Sequence, residues 1–192
     1  CWYSSPVISN NIISGNSAAL GGGIGVDGIE DTQPVISNNV IMGNSAASGG
    51  GIYCVGAAPV ISGNTIDGNS ASGGGGGIHL AGTNARIENT IIAFSAQGSG
   101  IFCESGNPYV VNCDIFGNEG GDALCGADGG GHISAAPLYC GIPGRGNYRL
   151  RSISPCAPGN HPSGTLIGAR PVGCSDTATQ NETWGGIKSR FK

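Results

Sequence analysis

An all-β solenoid, the parallel β-helix, is the fold class this sequence predicts, and three observations carry the prediction. First, one unit recurs. Residues 6–23 read PVISNNIISGNSAALGGG, residues 34–51 read PVISNNVIMGNSAASGGG and residues 59–76 read PVISGNTIDGNSASGGGG. Degenerate copies follow, ARIENTIIAFS at 85–95 and PYVVNCDIFGN at 108–118, and successive starts lie 28, 25, 26 and 23 residues apart. A loose period in the twenties is the mark of a solenoid. Second, the apolar residues of the aligned copies are β-branched, which suits strands over helices, and no apolar stripe of helical period runs for a useful length. Third, Gly, Asn and Ser punctuate the chain every few residues, so strands are short and turns frequent.

Each element of a coil then has a reason. Ile8, Ile36, Ile61, Ile87 and Val110 form one column of the alignment; Ile13, Ile41, Ile66, Ile92 and Ile115 form a second. With coils stacked at about 4.8 Å, the ordinary interstrand spacing, these columns become apolar ladders inside the tube. Asn11, Asn39, Asn64, Thr90 and Cys113 share a bend column, and Asn16, Asn44, Asn69, Ser95 and Asn118 another. There, side-chain amides bond one another along the axis and satisfy corner backbone groups. The Gly runs at 21–23, 49–51 and 73–77 mark a bend where a Cβ collides or φ is positive. A further strand follows each run, with Ile24, Ile52, Ile78 and Ile101 inward. By alternation, Val26, Cys54, Leu80 and Cys103 are inward too.

These columns resemble the right-handed parallel β-helix repeat of the pectate-lyase-like superfamily, over about residues 4–131. The resemblance implies a right-handed helix and coils of about 23–28 residues. It leaves activity open, because that fold hosts lyases, hydrolases, adhesins and inert surface proteins. After Gly131 the coil motif stops. Residues 132–174 contain a Pro-Leu-Tyr step (137–139), a Tyr-Arg-Leu step (148–150), a Ser-Pro-Cys step (154–156) and a final Ile-Gly-Ala (167–169). In that order they resemble the closing segment of β-helix repeat proteins from environmental bacteria, and imply one or two irregular coils ending in a cap. The chain thus divides into β-helix coils at 1–131, closing coils or cap at 132–174, and a polar linker with an aromatic and basic docking tail at 175–192.

Before the first repeat, Cys1, Trp2 and Tyr3 lie on or near the open end of the first coil. The chain opens inside a coil, without an initiator Met, which reads as a processed, secreted product or the remainder of a longer protein. The acidic insertion at 27–33 (DGIEDTQ) reads as a protruding, solvated loop. Arg86 and Glu88, two apart on one strand face, read as a surface ion pair. In the tail, Trp184, Ile187 and Phe191 form an apolar stripe beside Lys188, Arg190 and Lys192; a frayed end and a docking peptide are both open readings.

Eight Cys (1, 54, 103, 113, 125, 140, 156, 174) show no Cys-x-x-Cys pairing, which argues against zinc. Their even number suggests an oxidising, extracytoplasmic location at the cell surface or beyond it. Cys54, Cys103 and Cys113 read in part as core hydrophobes. Cys103 and Cys125 fall in corresponding positions of adjacent coils, so a bridge is feasible, and Cys140 with Cys156 is a candidate staple for the closing segment. No apolar run spans a bilayer.

Enzymes that the resemblance brings to mind cleave acidic polysaccharides with clustered Asp for calcium beside an Arg or Lys base, or with a group of Asp. Such clusters arise from one column over adjacent coils. Here Asp67 has Met42 and Ala93 beside it, Glu88 has Ser62 and Val111, and Asp114 has Ile91. No carboxylate ladder forms, and His79, His132 and His161 are scattered. The expectation is no catalytic constellation, no cofactor and no metal. A composite site of Asp27, Glu30 and Asp31 is the weak exception.

Charge divides along the chain. Residues 1–131 hold ten acids and one base, a net of −9, and residues 132–192 hold two acids and seven bases, a net of +5. If sequence maps onto axial position, the asymmetry is axial, and a basic C-terminal end meets the acidic N-terminal end of the next subunit. Such a heterologous contact does not close and builds a filament. The expected function is an extracellular structural protein, a homopolymer assembling head to tail through Cys1, Trp2, Tyr3 and the tail residues Trp184, Ile187, Lys188, Arg190, Phe191 and Lys192. The alternatives are a monomeric glycan-binding or adhesin solenoid, with Tyr53, His79 and Phe102 as a sugar platform, and a polysaccharide lyase or hydrolase. The basic part carries no nucleic-acid motif.

Overall fold

A computed structural model describes residues 1–29, 31–141 and 147–174 of the 192. The described chain is all-β, and its strands are short and parallel. Each coil contributes one strand to each of up to four sheets. The first sheet stacks Val7–Ser9, Val35–Ser37, Val60–Ser62, Arg86–Glu88, Tyr109–Val111 and Ala127–Asp128. The second stacks Ile12–Ser14, Val40–Met42, Thr65–Asp67, Ile91–Ala93 and Asp114–Phe116. The third holds Ser17–Leu20, Ser45–Ser48 and Ser70–Ala71. The fourth, after the glycine bend, holds Ile24–Asp27, Ile52–Val55, Ile78–Ala81 and Ile101–Cys103.

The register follows the sequence columns. Ile8 pairs with Ile36, Ile36 with Ile61, Ile61 with Ile87 and Ile87 with Val110. Ile13, Ile41, Ile66, Ile92 and Ile115 pair likewise in the second sheet. From coil two onward these side chains are buried, and with Ile24, Ile52, Ile78, Ile101, Val26, Cys54 and Leu80 they fill the tube. Cys54 and Cys113 sit in that core as apolar residues, and burial pushes both thiols up to about 12.

The bends are closed by two amide ladders. The backbone N–H and Nδ2 of Asn11 both donate to Asn39 Oδ1, at 3.0 and 3.2 Å, and Asn39 donates in the same way to Asn64. Asn16 does so to Asn44, and Asn44 to Asn69. The second amide proton returns to a carbonyl of the preceding coil, as from Asn39 to Ile8 O and from Asn69 to Ile41 O. The glycine bend is tight. A Cβ on Gly50 would lie 2.4 Å from Ser70 O and 2.7 Å from Gly76 O.

The segment after Gly131 departs from the expected cap. It opens as a partial sixth coil, with Asp114 bridged to Ile133. It then turns back as a strap along the outer face of the second sheet. Tyr139, Tyr148, Leu150, Cys156 and Ile167 cluster with Val40, Ile91 and Ala93 of that face. Gly168 N–H donates to Asn89 O, and Ala169 N–H to Thr65 Oγ1. Apolar residues on the outside of the second sheet (Val40, Met42, Ile91, Ala93) make a flank that must be covered, which an end cap would leave wet.

Cys103 is bonded to Cys125, tying coil four to coil five just before the sixth coil begins at Ala127. The second bridge differs from the candidate staple. Cys140 pairs with Cys174, and Cys156 is free and buried. Arg151 pairs in parallel with Cys174, and Cys140 N–H bonds Arg149 O, so the backbone brings Cys140 beside Cys174. Cys156 is turned to the solenoid instead. Replacing Cys125 by Ser is expected to loosen the last coil selectively. Loss of a 22-residue crosslink costs about 3 kcal/mol on the chain-entropy model. Hydrogen exchange would show it as faster exchange at Ala127 and Gly129 with Ile41 and Ile66 unchanged.

Candidate functional site

Three surfaces carry the residues singled out by sequence. The first is the N-terminal edge. Cys1 is exposed, and its amine donates to Gly25 O at 2.7 Å. Trp2 bridges Asp27, Tyr3 N–H donates to Asp27 O, and the two rings stand 6.1 Å apart. Trp2 is 75% exposed, and Val7, Ile12, Leu20 and Ile29 are exposed with it. Ile8 and Ile13, core residues in every later coil, are only partly buried. Among the described residues nothing donates to Asn11 Oδ1 or Asn16 Oδ1, the acceptors that each later coil fills.

The opposite end is finished. Asn118 N–H and Nδ2 donate to Asp122 Oδ1 at 2.9 and 2.7 Å, and Gly117 N–H to Asp122 Oδ2, so a carboxylate ends the second ladder. His132 ends the first. Its Nδ1 accepts from Cys113 N–H at 3.3 Å, and its Nε2 lies 3.1 Å from Val110 O and 3.0 Å from Asp128. Those are the positions an Asn would use, which assigns the proton to Nε2. Sequence reasoning gave His132 no role, although its place 19 residues after Cys113 in the bend column was readable.

The described bases of the closing segment ride on the flanking strap, which changes the expected charge axis. Arg149, Arg151 and Arg170 belong to a segment packed beside coils two to five. Sequence does not map onto axial position once a segment doubles back, so among the described residues the basic charge is lateral. Trp184, Ile187, Lys188, Arg190, Phe191 and Lys192 lie outside the described residues, as does Glu30. Asp27 and Asp31 are exposed, and no three His, Cys, Asp or Glu side chains cluster as metal ligands among the described residues.

The second surface is the aromatic column. Tyr53, His79 and Phe102 stack in register on the fourth sheet, with ring centroids 5.1 and 5.0 Å apart. His79 is buried at 4% exposure, which corrects the expectation of three exposed rings. The rings are tilted by 37° and 46° to one another, and the central one is covered by its two neighbours, so the column offers no continuous open face of the kind on which a sugar stacks. The backbone at Gly74 also crowds Phe102, since a Cβ there would lie 3.1 Å from its Cγ. Leu124 packs against the core and does not extend the ring column. Glu104 lies 3.4 Å from His79 Nε2. Beside this face Arg86 pairs with Glu88 at 2.7 Å and lies 5.1 Å from the centre of the Tyr109 ring.

The third surface lies under the strap. Asp67 and Asp114 share the outer face of the second sheet, with the neighbours their columns predict. Tyr148 Oη donates to Asp67 Oδ1 at 3.1 Å, and Cys156 Sγ to Asp114 Oδ2 at 3.0 Å. Ala135 N–H donates to Asp114 Oδ1. Asp67 Oδ2 and Tyr139 Oη are buried without a partner, Tyr139 standing near the carboxylate without closing a hydrogen bond. Burial raises both carboxyls to about 6, against the pull of Tyr148 on Asp67 and of Cys156 on Asp114. Both are closed to solvent, at 2% and 0% exposure.

The family model for the right-handed β-helix region matches residues 3–135. The chain belongs to the right-handed β-helix family. No curated protein and no solved structure matches it. The family match ends at residue 135, where the β-helix stops adding coils and the strap begins.

Proposed function

We propose that this β-helix is an extracellular structural protein, a rod lengthened end-on by a further coil that stacks on its N-terminal edge. One observation carries the reading: Asp122 and His132 finish both amide ladders at the C-terminal end, whereas Asn11 Oδ1 and Asn16 Oδ1 of the first described coil are shaped for a preceding coil, whether that coil belongs to the same polypeptide or to another. The occupant is defined by chemistry. It is a β-helix coil with a side-chain amide at each of the two bend columns, donating to Asn11 Oδ1 and Asn16 Oδ1, and with apolar residues over Ile8 and Ile13. Unpaired strand edges invite such pairing. Two disulfides support an oxidising compartment.

The polarity weighs against the head-to-tail joint expected from charge. Asp122 presents acceptor oxygens at one end and Asn16 an acceptor oxygen at the other, so a head-to-tail contact sets acceptor against acceptor in that column. The reading assigns no catalysis and no glycan.

Sedimentation velocity and electron microscopy of the purified chain test it. The full chain by itself is expected to remain single, because Asp122 and His132 occupy the donors at its other end. Mixed with a chain cut after residue 84, whose last coil presents the amides of Asn64 and Asn69, it is expected to be drawn into end-joined rods, and its double variant Trp2→Lys, Ile12→Lys is not. Both residues are exposed, so the core is untouched. A full chain that stays single in that mixture, or a double variant that joins as the wild type does, would overturn the proposal.

A further inference from the structure

The strap is the element whose attachment the function leaves unexplained. It leaves the sixth coil after Ile133, the last residue bridged to the second sheet, and Cys140–Cys174 ties its two ends together. Apolar contacts hold it, but at its centre it buries two carboxyl groups that an apolar flank would not need. Neither is ion-paired among the described residues. Asp67 is faced by Met42 and Ala93 on its own sheet and by Tyr139 and Tyr148 from the strap. Asp114 is faced by Ile91 and Ile133 in the sheet, by Cys156 and the Ala135 N–H from the strap, and by the negative charge of Asp122 nearby. Tyr139 feels both carboxyls, and Cys156 feels Asp114. All these titratable neighbours are neutral or negative near neutral pH, and Asp67 Oδ2 has no donor at all.

We infer that the strap is a proton-sensitive latch, held against the second sheet while Asp67 and Asp114 carry protons and loosened when they ionise. An ionised Asp67 is a buried charge held chiefly by one phenol, Tyr148, and protonation removes that charge while leaving Oδ1 to accept the same bond. Loosening uncovers the flank of Val40, Met42, Ile91 and Ala93.

The direction in pH follows from linkage. Both groups bind protons more tightly under the strap than in an open chain, where a carboxyl titrates near 3.8. The stabilisation is therefore complete below about pH 4 and is lost as pH rises through about 6. Each carboxyl then increases the opening constant by about a hundredfold between those limits.

Hydrogen exchange, corrected for the intrinsic pH dependence of exchange, tests the latch at the Gly168 and Ala169 amides. Ile41 and Ile66 in the solenoid serve as internal controls. Protection in the wild type is expected to fall at least tenfold from pH 4.5 to pH 7.5, and in Asp67→Asn, Asp114→Asn to be independent of pH. A wild type whose strap protection ignores pH overturns the inference. So does an unchanged pH dependence in the double variant. A carboxyl-carbon NMR titration of the wild type decides independently of the variant's folding: midpoints near 6 support the latch, and midpoints near 4 refute it.

Discussion

Gly50→Ala is expected to destabilise the solenoid by on the order of 3 kcal/mol or more, and Gly43→Ala by only about 1. The contrast is the point. Gly43 has a φ of 60° but open space around it, so an added methyl meets only the ordinary left-handed penalty. Gly50 has no positive φ, yet its Cβ would lie 2.4 Å from the carbonyl oxygen of Ser70 and 2.7 Å from that of Gly76. Both obstacles are backbone of the next coil. Relief requires the coils to part, which breaks the bonds from Gly50 N–H to Gly75 O and from Gly51 N–H to Gly76 O. Thermal unfolding followed by circular dichroism would show it. A drop of roughly 6–12 °C is expected for Gly50→Ala, against a few degrees for Gly43→Ala. Equal drops would mean that backbone conformation, not stacking distance, makes the bend glycine.

Asn69→Ala carries the second large effect. Asn69 Oδ1 accepts from Asn44 N–H at 2.9 Å and from Asn44 Nδ2 at 3.1 Å, while its own Nδ2 donates to Ile41 O at 2.9 Å. All are buried, and truncation leaves two donors and a carbonyl without partners. At about 1–3 kcal/mol for each unmade buried bond, the loss is roughly 3–6 kcal/mol. Asn11→Ala at the open edge removes an exposed member of the other ladder and is expected to cost under about 1 kcal/mol, because water replaces the amide. Denaturant titration of the two variants tests the ladder. If they lose similar stability, the amides do not act as a buried stack. The same pair bears on function, since the open acceptors of Asn11 and Asn16 are the proposed recognition points for a further coil.

The first coil was legible in the sequence because its columns match those of the coils that follow. The closed end was not. Asp122 and His132 stand in bend columns without matching the Asn pattern, and only their hydrogen bonds reveal that a carboxylate and an imidazole substitute for amides. Phe94 shows the same limit. It occupies a left-handed position that Gly15, Gly43, Gly68 and Gly117 fill in the other coils, with φ of 55°. Its ring packs with the strap cluster and edge-on to Phe116, a reason that lies outside the repeat.

By itself the sequence determined the coil, its register, its inward ladders and its glycine bends, because each follows from contacts between residues one period apart, and a repeat writes those contacts into its own columns. Tertiary structure alone decided what the non-repeating segment does. The fold-back of residues 132–174 set the lateral position of its charge, joined Cys140 to Cys174, and buried Asp67 and Asp114 under Tyr148 and Cys156. Those contacts span 42 to 81 residues with no period. They arise because an apolar outer flank must be covered, and nothing local in the chain states which segment will cover it.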